Sequence, residues 1–350
     1  MENFASFISP RRQTVPTPKQ LVTEGKAVFG TFDKEFESIE LLTCVDPIYR
    51  YFPNRFNRFR LTLWEACEVH LDNGVLLAAV SDMGLFGMIL HVFFDKRTQK
   101  VYSWKQLLKR SSTTIAPNLL GGSISEASTK KAAIRFVNQF EAGHCRVEGA
   151  HSSEGLALEY AFELERVSLP CVVSIPFGPN RPLYTQKDLF RAKGSLRLND
   201  ERFTATDQTT AVVDDHKGYY PYKAHYDWLS TMGRRGEEYF GINLTCNQSI
   251  DQENYNENMI WLQGAISPLP PITFTHNEDS TLWQVRDQHD MVNVTFTRAD
   301  QFHMGVNAGL IKIDYAIAFG ELSGYVRDLD GKQYVLDGMM GIGEDKTLRF

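Results

Sequence analysis

The sequence predicts an all-β protein in two antiparallel modules, with few short helices, and three observations carry that reading. Apolar residues recur with a period of two, tight-turn dipeptides separate those runs, and no segment sustains a helical period. Aromatic residues make up 12 % of the 350 positions, with 23 Phe and 14 Tyr. Flat rings cover a pleated surface well, so this enrichment points the same way.

Taken in chain order, "LTLWEACEVHL" at 61 to 71 sets Leu61, Leu63, Cys67, Val69 and Leu71 on one face together with Glu65, which is either an inward acid or the mark of a bulge. "LDNGV" at 71 to 75 then supplies an Asn-Gly turn. The most apolar run, "VLLAAVSDMGLFGMILHVFF", is broken by Ser81, Asp82, Gly84 and Gly87, so it predicts two strands and a turn. A membrane helix needs about 18 uninterrupted apolar residues, and none is present. "FFDKRTQKVYSW" at 93 to 104 reads as a hairpin with a longer loop, and the Ser/Thr/Gly-rich stretch 111 to 130 as a connection. In "ALEYAFEL", Leu158, Tyr160, Phe162 and Leu164 oppose Glu159, Ala161 and Glu163. "PFGPNRPL" at 176 to 183 holds three prolines and reads as a second connection. "VNVTFT" and "LIKIDYAIAF" resume the alternation, and "DLDGKQ" at 328 to 333 adds an Asp-Gly turn. "TEGKAVFGTFDKEFESI" and "LYTQKDLFRA" are the two places where a turn or two of helix is expected. The resulting division is an extension over 1–20, a first module over 21–190 and a second over 191–350.

An apolar fraction of 43 % is enough for a large core. The formal charge is −6, and the basic residues are scattered rather than gathered in a stripe, which speaks against a nucleic-acid partner. The start "MENFASFISPRRQTVPTP" lacks an apolar segment behind a basic head, so no leader is expected. Five widely spaced cysteines, Cys44, Cys67, Cys145, Cys171 and Cys246, read as free thiols and suggest a cytoplasmic setting. Nucleotide loops, a Gly-x-Ser-x-Gly elbow and a His-Glu-x-x-His motif are all absent, so no cofactor is expected.

The densest functional signal is "VVDDHKGYYPYKAHYDW" at 212 to 228. Strand alternation sends Asp214 and Asp215 to opposite faces, so one of them points inward. A buried carboxylate beside His216 could hold its proton and act as a general acid, or could simply cap the following turn. His216 and His225, nine residues apart, lack the spacing of zinc ligands, and no metal is expected. Tyr219, Tyr220, Tyr222, Tyr226 and Trp228 could line a pocket or only a barrel wall. "DQENYNENMIWL" places amides and acids before an apolar strand, where Asn258 and Trp261 are expected to face the cleft. His276 and Glu278 could form a second acid/base pair.

"FRLTLWEACEVH", "GSLRLNDERFTATD", "DDHKGYYPY", "ENYNENMIWLQG", "PLPPITF" and "FGELSG…GMMGIGED" together resemble the family known as domain of unknown function 2804, from about residue 20 to the C-terminus. That family is distantly similar to the carotenoid hydratases, the tocopherol cyclases and certain fungal cyclases. The resemblance implies two lipocalin-like, calycin-type barrels side by side, a ligand cleft in or between them, and cofactor-free proton chemistry. Gly194, Asp215 and Gly218 match positions of those relatives, while Lys217 stands where they carry an aromatic residue. The expected function is binding of a small, largely apolar molecule. Asp215 is expected as proton donor for hydration, isomerisation or cyclisation, assisted by His216 and Tyr219. Asp214, Tyr222, His225, Trp228, Asn258 and Trp261 are expected to bind the ligand. A carrier without chemistry, and a carbohydrate-active enzyme with paired carboxylates, are the alternatives.

Overall fold

A computed structural model describes residues 12–48, 54–153, 155–309 and 311–349. Residues 1–11 of the expected extension lie outside the described residues. The fold is all-β, with two large sheets that each curl on themselves, the first nearly closed into a barrel and the second a half-barrel.

The main path of the first sheet runs through the strands Lys100–Lys109, Phe86–Asp95, Gly74–Asp82, Leu61–Leu71, Thr210–Tyr219, Pro182–Leu198, Leu156–Arg166, His144–Ser153, Ala132–Gln139, Ser123–Ser128 and Thr113–Thr114. Every pairing along it is antiparallel. The predicted alternation of 158 to 164 is borne out, with the Leu, Tyr and Phe side chains buried and the intervening Glu and Ala exposed. These residues join Phe136, Phe190 and Val213 in one core that fills the barrel. Burial of each large side chain contributes about 1.5–3 kcal/mol.

The second sheet is ordered Ala265–Pro268, Met259–Leu262, Glu238–Cys246, Lys223–Arg235, Met339–Arg349, Ile311–Arg327, Val292–Ala308, Leu282–Arg286 and Thr273–His276. It encloses Phe240, Trp283 and Phe296. A third apolar layer joins the barrels, where Leu77, Val92 and Phe94 meet Trp228, Ile317 and Phe319. Phe94 and Phe319 stack there at 5.4 Å.

Several expectations change in the structure. Sheet membership switches between Tyr219 and Lys223, so the expected division at 190 falls inside the strand Pro182–Leu198. The prolines read as a linker instead turn a hairpin within the first sheet, between Cys171–Pro176 and Pro182–Leu198. "LYTQKDLFRA" lies in that same long strand and not in a helix. The strand pairs with Leu156–Arg166 over its second half and with Thr210–Tyr219 over its first. Gly194 lets it pass, because a Cβ there would stand 2.0 Å from the Ala161 carbonyl oxygen at a φ of +135°. The helices are four short 3₁₀ segments among the described residues. The described part of the extension is built in: Thr14–Val15 pairs with Gly30–Phe32, and the buried Arg12 donates to the Asn258 and Leu269 carbonyls, which flank the hairpin Met259–Leu262 and Ala265–Pro268 of the second sheet.

Candidate functional site

The strand Thr210–Tyr219 lies between Leu61–Leu71 and Pro182–Leu198, and its two faces differ completely. Period-two alternation turns Val213, Asp215 and Lys217 into the first barrel and Val212, Asp214 and His216 toward the layer between barrels. That layer opens into a cleft of about 900 Å³, mouth included, in which the space open to the centre of a water molecule is only about 60 Å³. Its walls are mostly apolar, including Leu77, Met88, Leu90 and Phe177, with Trp64, Tyr220, Tyr226, Trp228 and Tyr315 adding rings.

A charged floor crosses these walls. His216 Nδ1 is 2.9 Å from Asp214 Oδ1, and His216 Nε2 is 3.8 Å from Glu257 Oε2. Lys187 Nζ closes the group, 3.0 Å from Glu257 Oε2 and 3.5 Å from Asp214 Oδ2. Register explains the assembly, since Lys187 pairs with Asp214 and Trp64 with His216 across neighbouring strands. Glu257 arrives from the loop before Met259–Leu262, held by Asn247 Nδ2 at 3.1 Å and, through its carbonyl, by Asn243 Nδ2 at 2.6 Å. Burial alone would raise the Asp214 carboxyl, but His216 and Lys187 outweigh it and hold the group below its usual value. Lys187 likewise stays charged despite burial, because Asp214 and Glu257 face it.

At the other side of the cleft, Met339–Arg349 contributes Glu344 and Lys346. Tyr315 donates its hydroxyl proton to Glu344. Burial raises Glu344, and burial lowers Lys346 to about 8. Several cleft-lining polar atoms have no hydrogen-bond partner in the protein: Trp64 Nε1, Ser81 Oγ, Asp214 Oδ1, His216 Nδ1, Tyr226 Oη and Glu257 Oε2. His216 Nδ1 and Asp214 Oδ1 thus meet at 2.9 Å without hydrogen-bond alignment.

Of the residues expected from sequence, Asp214, His216, Tyr220, Tyr226 and Trp228 line this cleft. Asp215 points the other way, fully buried in the first barrel, where it pairs with Lys217. Glu65, opposite it in register, is an inward acid and not a bulge, and Asn138 donates to it at 3.2 Å. Tyr219 donates to the Leu41 carbonyl at 3.0 Å within a separate apolar cluster, and Tyr222 is exposed. His225 and Asp227 occupy the opposite face of Lys223–Arg235 from Trp228. Asp227 contacts His225 Nε2 at 3.3 Å and His276 Nε2 at 3.0 Å. Ligand-type atoms of His225, Asp227 and Asp345 lie within 4.8 Å of one another. Glu278, expected beside His276, is exposed. Asn258 ties its loop, accepting from the Thr245 amide at 2.6 Å and donating to the Pro270 carbonyl at 2.9 Å. Trp261 is buried behind the cleft and donates to the Lys187 carbonyl at 3.1 Å.

Sequence reasoning passed over Lys187, Tyr315, Glu344 and Lys346. A signal for the last two exists: alternation puts Glu344 and Lys346 on the face of the buried Ile342 and Leu348.

Two β-barrels side by side with an aromatic cleft between them define the class of this protein by its architecture. The sequence places it more narrowly: over residues 13–350 the chain belongs to the DUF2804 family, a domain of unknown function. Its fold is similar to that of kievitone hydratase from Nectria haematococca, with a TM-score of 0.52 at 11 % identity, over 84 % of this chain and 90 % of that one. An AttH-type protein from Nitrosomonas europaea aligns over 84 % of this chain and 95 % of its own, at 12 % identity and a TM-score of 0.48. Among curated proteins, no sequence matches this chain. Among the described residues, no helix is long and apolar enough to cross a membrane.

Proposed function

We propose that the inter-barrel cleft binds a small, largely apolar molecule whose polar end meets the Asp214, His216, Lys187 and Glu257 floor, and that His216 moves a proton to or from it. One observation carries this reading: the charged floor of Asp214, His216, Lys187 and Glu257 opens on a cleft whose walls are otherwise apolar, and on those walls Trp64 Nε1, Ser81 Oγ and Tyr226 Oη have no hydrogen-bond partner in the protein. Each such atom costs about 1–3 kcal/mol when left unpaired, so the arrangement suits a guest that brings its own donors and acceptors. An imidazole set between two carboxylates can take up a proton from one side of a ligand and return it at another, which is the requirement of hydration, isomerisation or cyclisation. Asp214 orients and balances that imidazole, and Trp228 and Trp64 offer their faces to the apolar body. The fold shared with a hydratase supports the reading only as analogy.

The neutral fluorophore N-phenyl-1-naphthylamine tests occupancy. The chain should bind it at one saturable site, and Ala79→Trp, which fills the cleft from the Gly74–Asp82 strand, should weaken binding at least tenfold while leaving the melting temperature nearly unchanged. Unaltered affinity in that variant would place the apolar site elsewhere.

A further inference from the structure

Three lysines are buried among the described residues, and one of them is unlike the others. Lys187 and Lys217 each face a carboxylate. Lys346 faces rings instead: its Nζ lies 4.3 Å from the Tyr315 centroid, 4.7 Å from Trp64 and 5.5 Å from Tyr226. Among the described residues no carboxylate lies within ion-pair distance of it, and its side chain lines the cleft. An ammonium so placed has exchanged water for ring faces, which solvate the charge only in part. Desolvation accordingly lowers the group to about 8, so roughly a tenth of the molecules carry a free amine at pH 7. A desolvated amine in an aromatic pocket is the form of lysine that attacks carbonyl carbon.

From this geometry we propose that Lys346 is a covalent docking point, through an imine, for a ligand bearing an aldehyde or unhindered ketone on an apolar or aromatic body. The inference rests on the cleft being a ligand site and names the class of ligand. In the first step the Nζ lone pair adds to the carbonyl carbon, the π pair moves to oxygen, and the nitrogen proton is transferred to that oxygen, leaving a neutral carbinolamine. In the second, the hydroxyl is protonated and leaves as water while the nitrogen lone pair closes the C=N bond. The nitrogen then loses its proton. Amine and carbonyl thus become imine and water, with no change of oxidation state. Glu344, two residues away on the same face and raised by burial, is the donor for the departing hydroxyl and recovers its proton at the end. The rings that hold Lys346 also flank the apolar body of the ligand.

The experiment is reductive trapping with 4-ethylbenzaldehyde and sodium cyanoborohydride at pH 7, with modified lysines located by peptide mass mapping. Lys346 should be alkylated at least tenfold faster than any exposed lysine, its rate should rise with an inflection near pH 8, and Lys346→Met should remove the fast phase. Labelling of Lys346 no faster than of exposed lysines overturns the inference. Binding of N-phenyl-1-naphthylamine by the unmodified chain separates the two readings. Binding without fast trapping leaves the cleft in place and removes the imine; absence of both removes the cleft reading as well.

Discussion

Asp214 and Asp215 are neighbours in the chain, yet they occupy two chemically distinct regions. On one face of the strand Thr210–Tyr219, Asp214 meets His216 and Lys187 at a cleft that admits water. On the other, Asp215, Lys217 and Glu65 are sealed inside the first barrel against Asn138. The comparison teaches that a charged cluster is defined by what else can reach it. Where water or a guest can enter, unpaired capacity is available for binding; where nothing can, each charge depends wholly on its protein partner.

The comparison breaks most visibly at Lys217. Lys217→Met leaves Asp215 and Glu65 buried without a cation, and should lower stability by about 3–5 kcal/mol in urea titration. Lys187→Met, on the cleft face, should lose distinctly less, because Asp214 retains His216 and the cleft admits water. Equal losses would erase the distinction between the faces.

A second, smaller effect sharpens it through pH. Burial raises Glu65 from 4.5 to about 7, with Asp215 adding to the shift. A carboxyl whose folded value is raised takes up its proton more readily in the native state, so its contribution is fully present below pH 4.5 and is lost as pH rises through about 7. Asp214, held below its usual value, has the opposite sign and loses its contribution as pH falls. Glu65→Gln should therefore remove a decline in stability between pH 4.5 and 7, measured as the difference from the parent chain. A profile identical to the parent would show that Glu65 titrates alike in the folded and the unfolded chain and is not raised by the barrel. The smallest effect belongs outside both regions: Leu107→Ala, at an exposed site, should alter stability by less than about 0.5 kcal/mol and leave N-phenyl-1-naphthylamine binding unchanged.

Much of the fold is legible in the sequence because alternation and turn chemistry are local. Leu158 to Leu164 show their faces directly, and the turns at 71 to 75 and 328 to 333 lie where Asn-Gly and Asp-Gly place them. Opposite faces for Asp214 and Asp215 follow from the same rule. Which face meets the cleft does not, because that depends on Phe136, Phe162 and Phe190 filling the lumen and on a second sheet covering the outer wall. Lys187 reaches Asp214 through strand pairing, while Lys346 reaches Trp64 across the two sheets, over a sequence separation that no local pattern encodes. The prolines at 176 to 182 carry a turn signal that is equally consistent with a linker, and only the pairing of the flanking strands distinguishes them.

The most direct measurement is a pair of thermal melts, of Asp214→Asn and of Asp215→Asn. Asp215→Asn leaves Lys217 sealed in the barrel without its partner carboxylate, and should lower the melting temperature by roughly 10 °C, from a loss of about 3–5 kcal/mol. Asp214→Asn leaves Lys187 with Glu257 at 3.0 Å, and should shift it by no more than about 2 °C. Equal shifts, or a larger loss at 214 than at 215, would contradict the division of this strand into a stabilising face and a ligand-facing one.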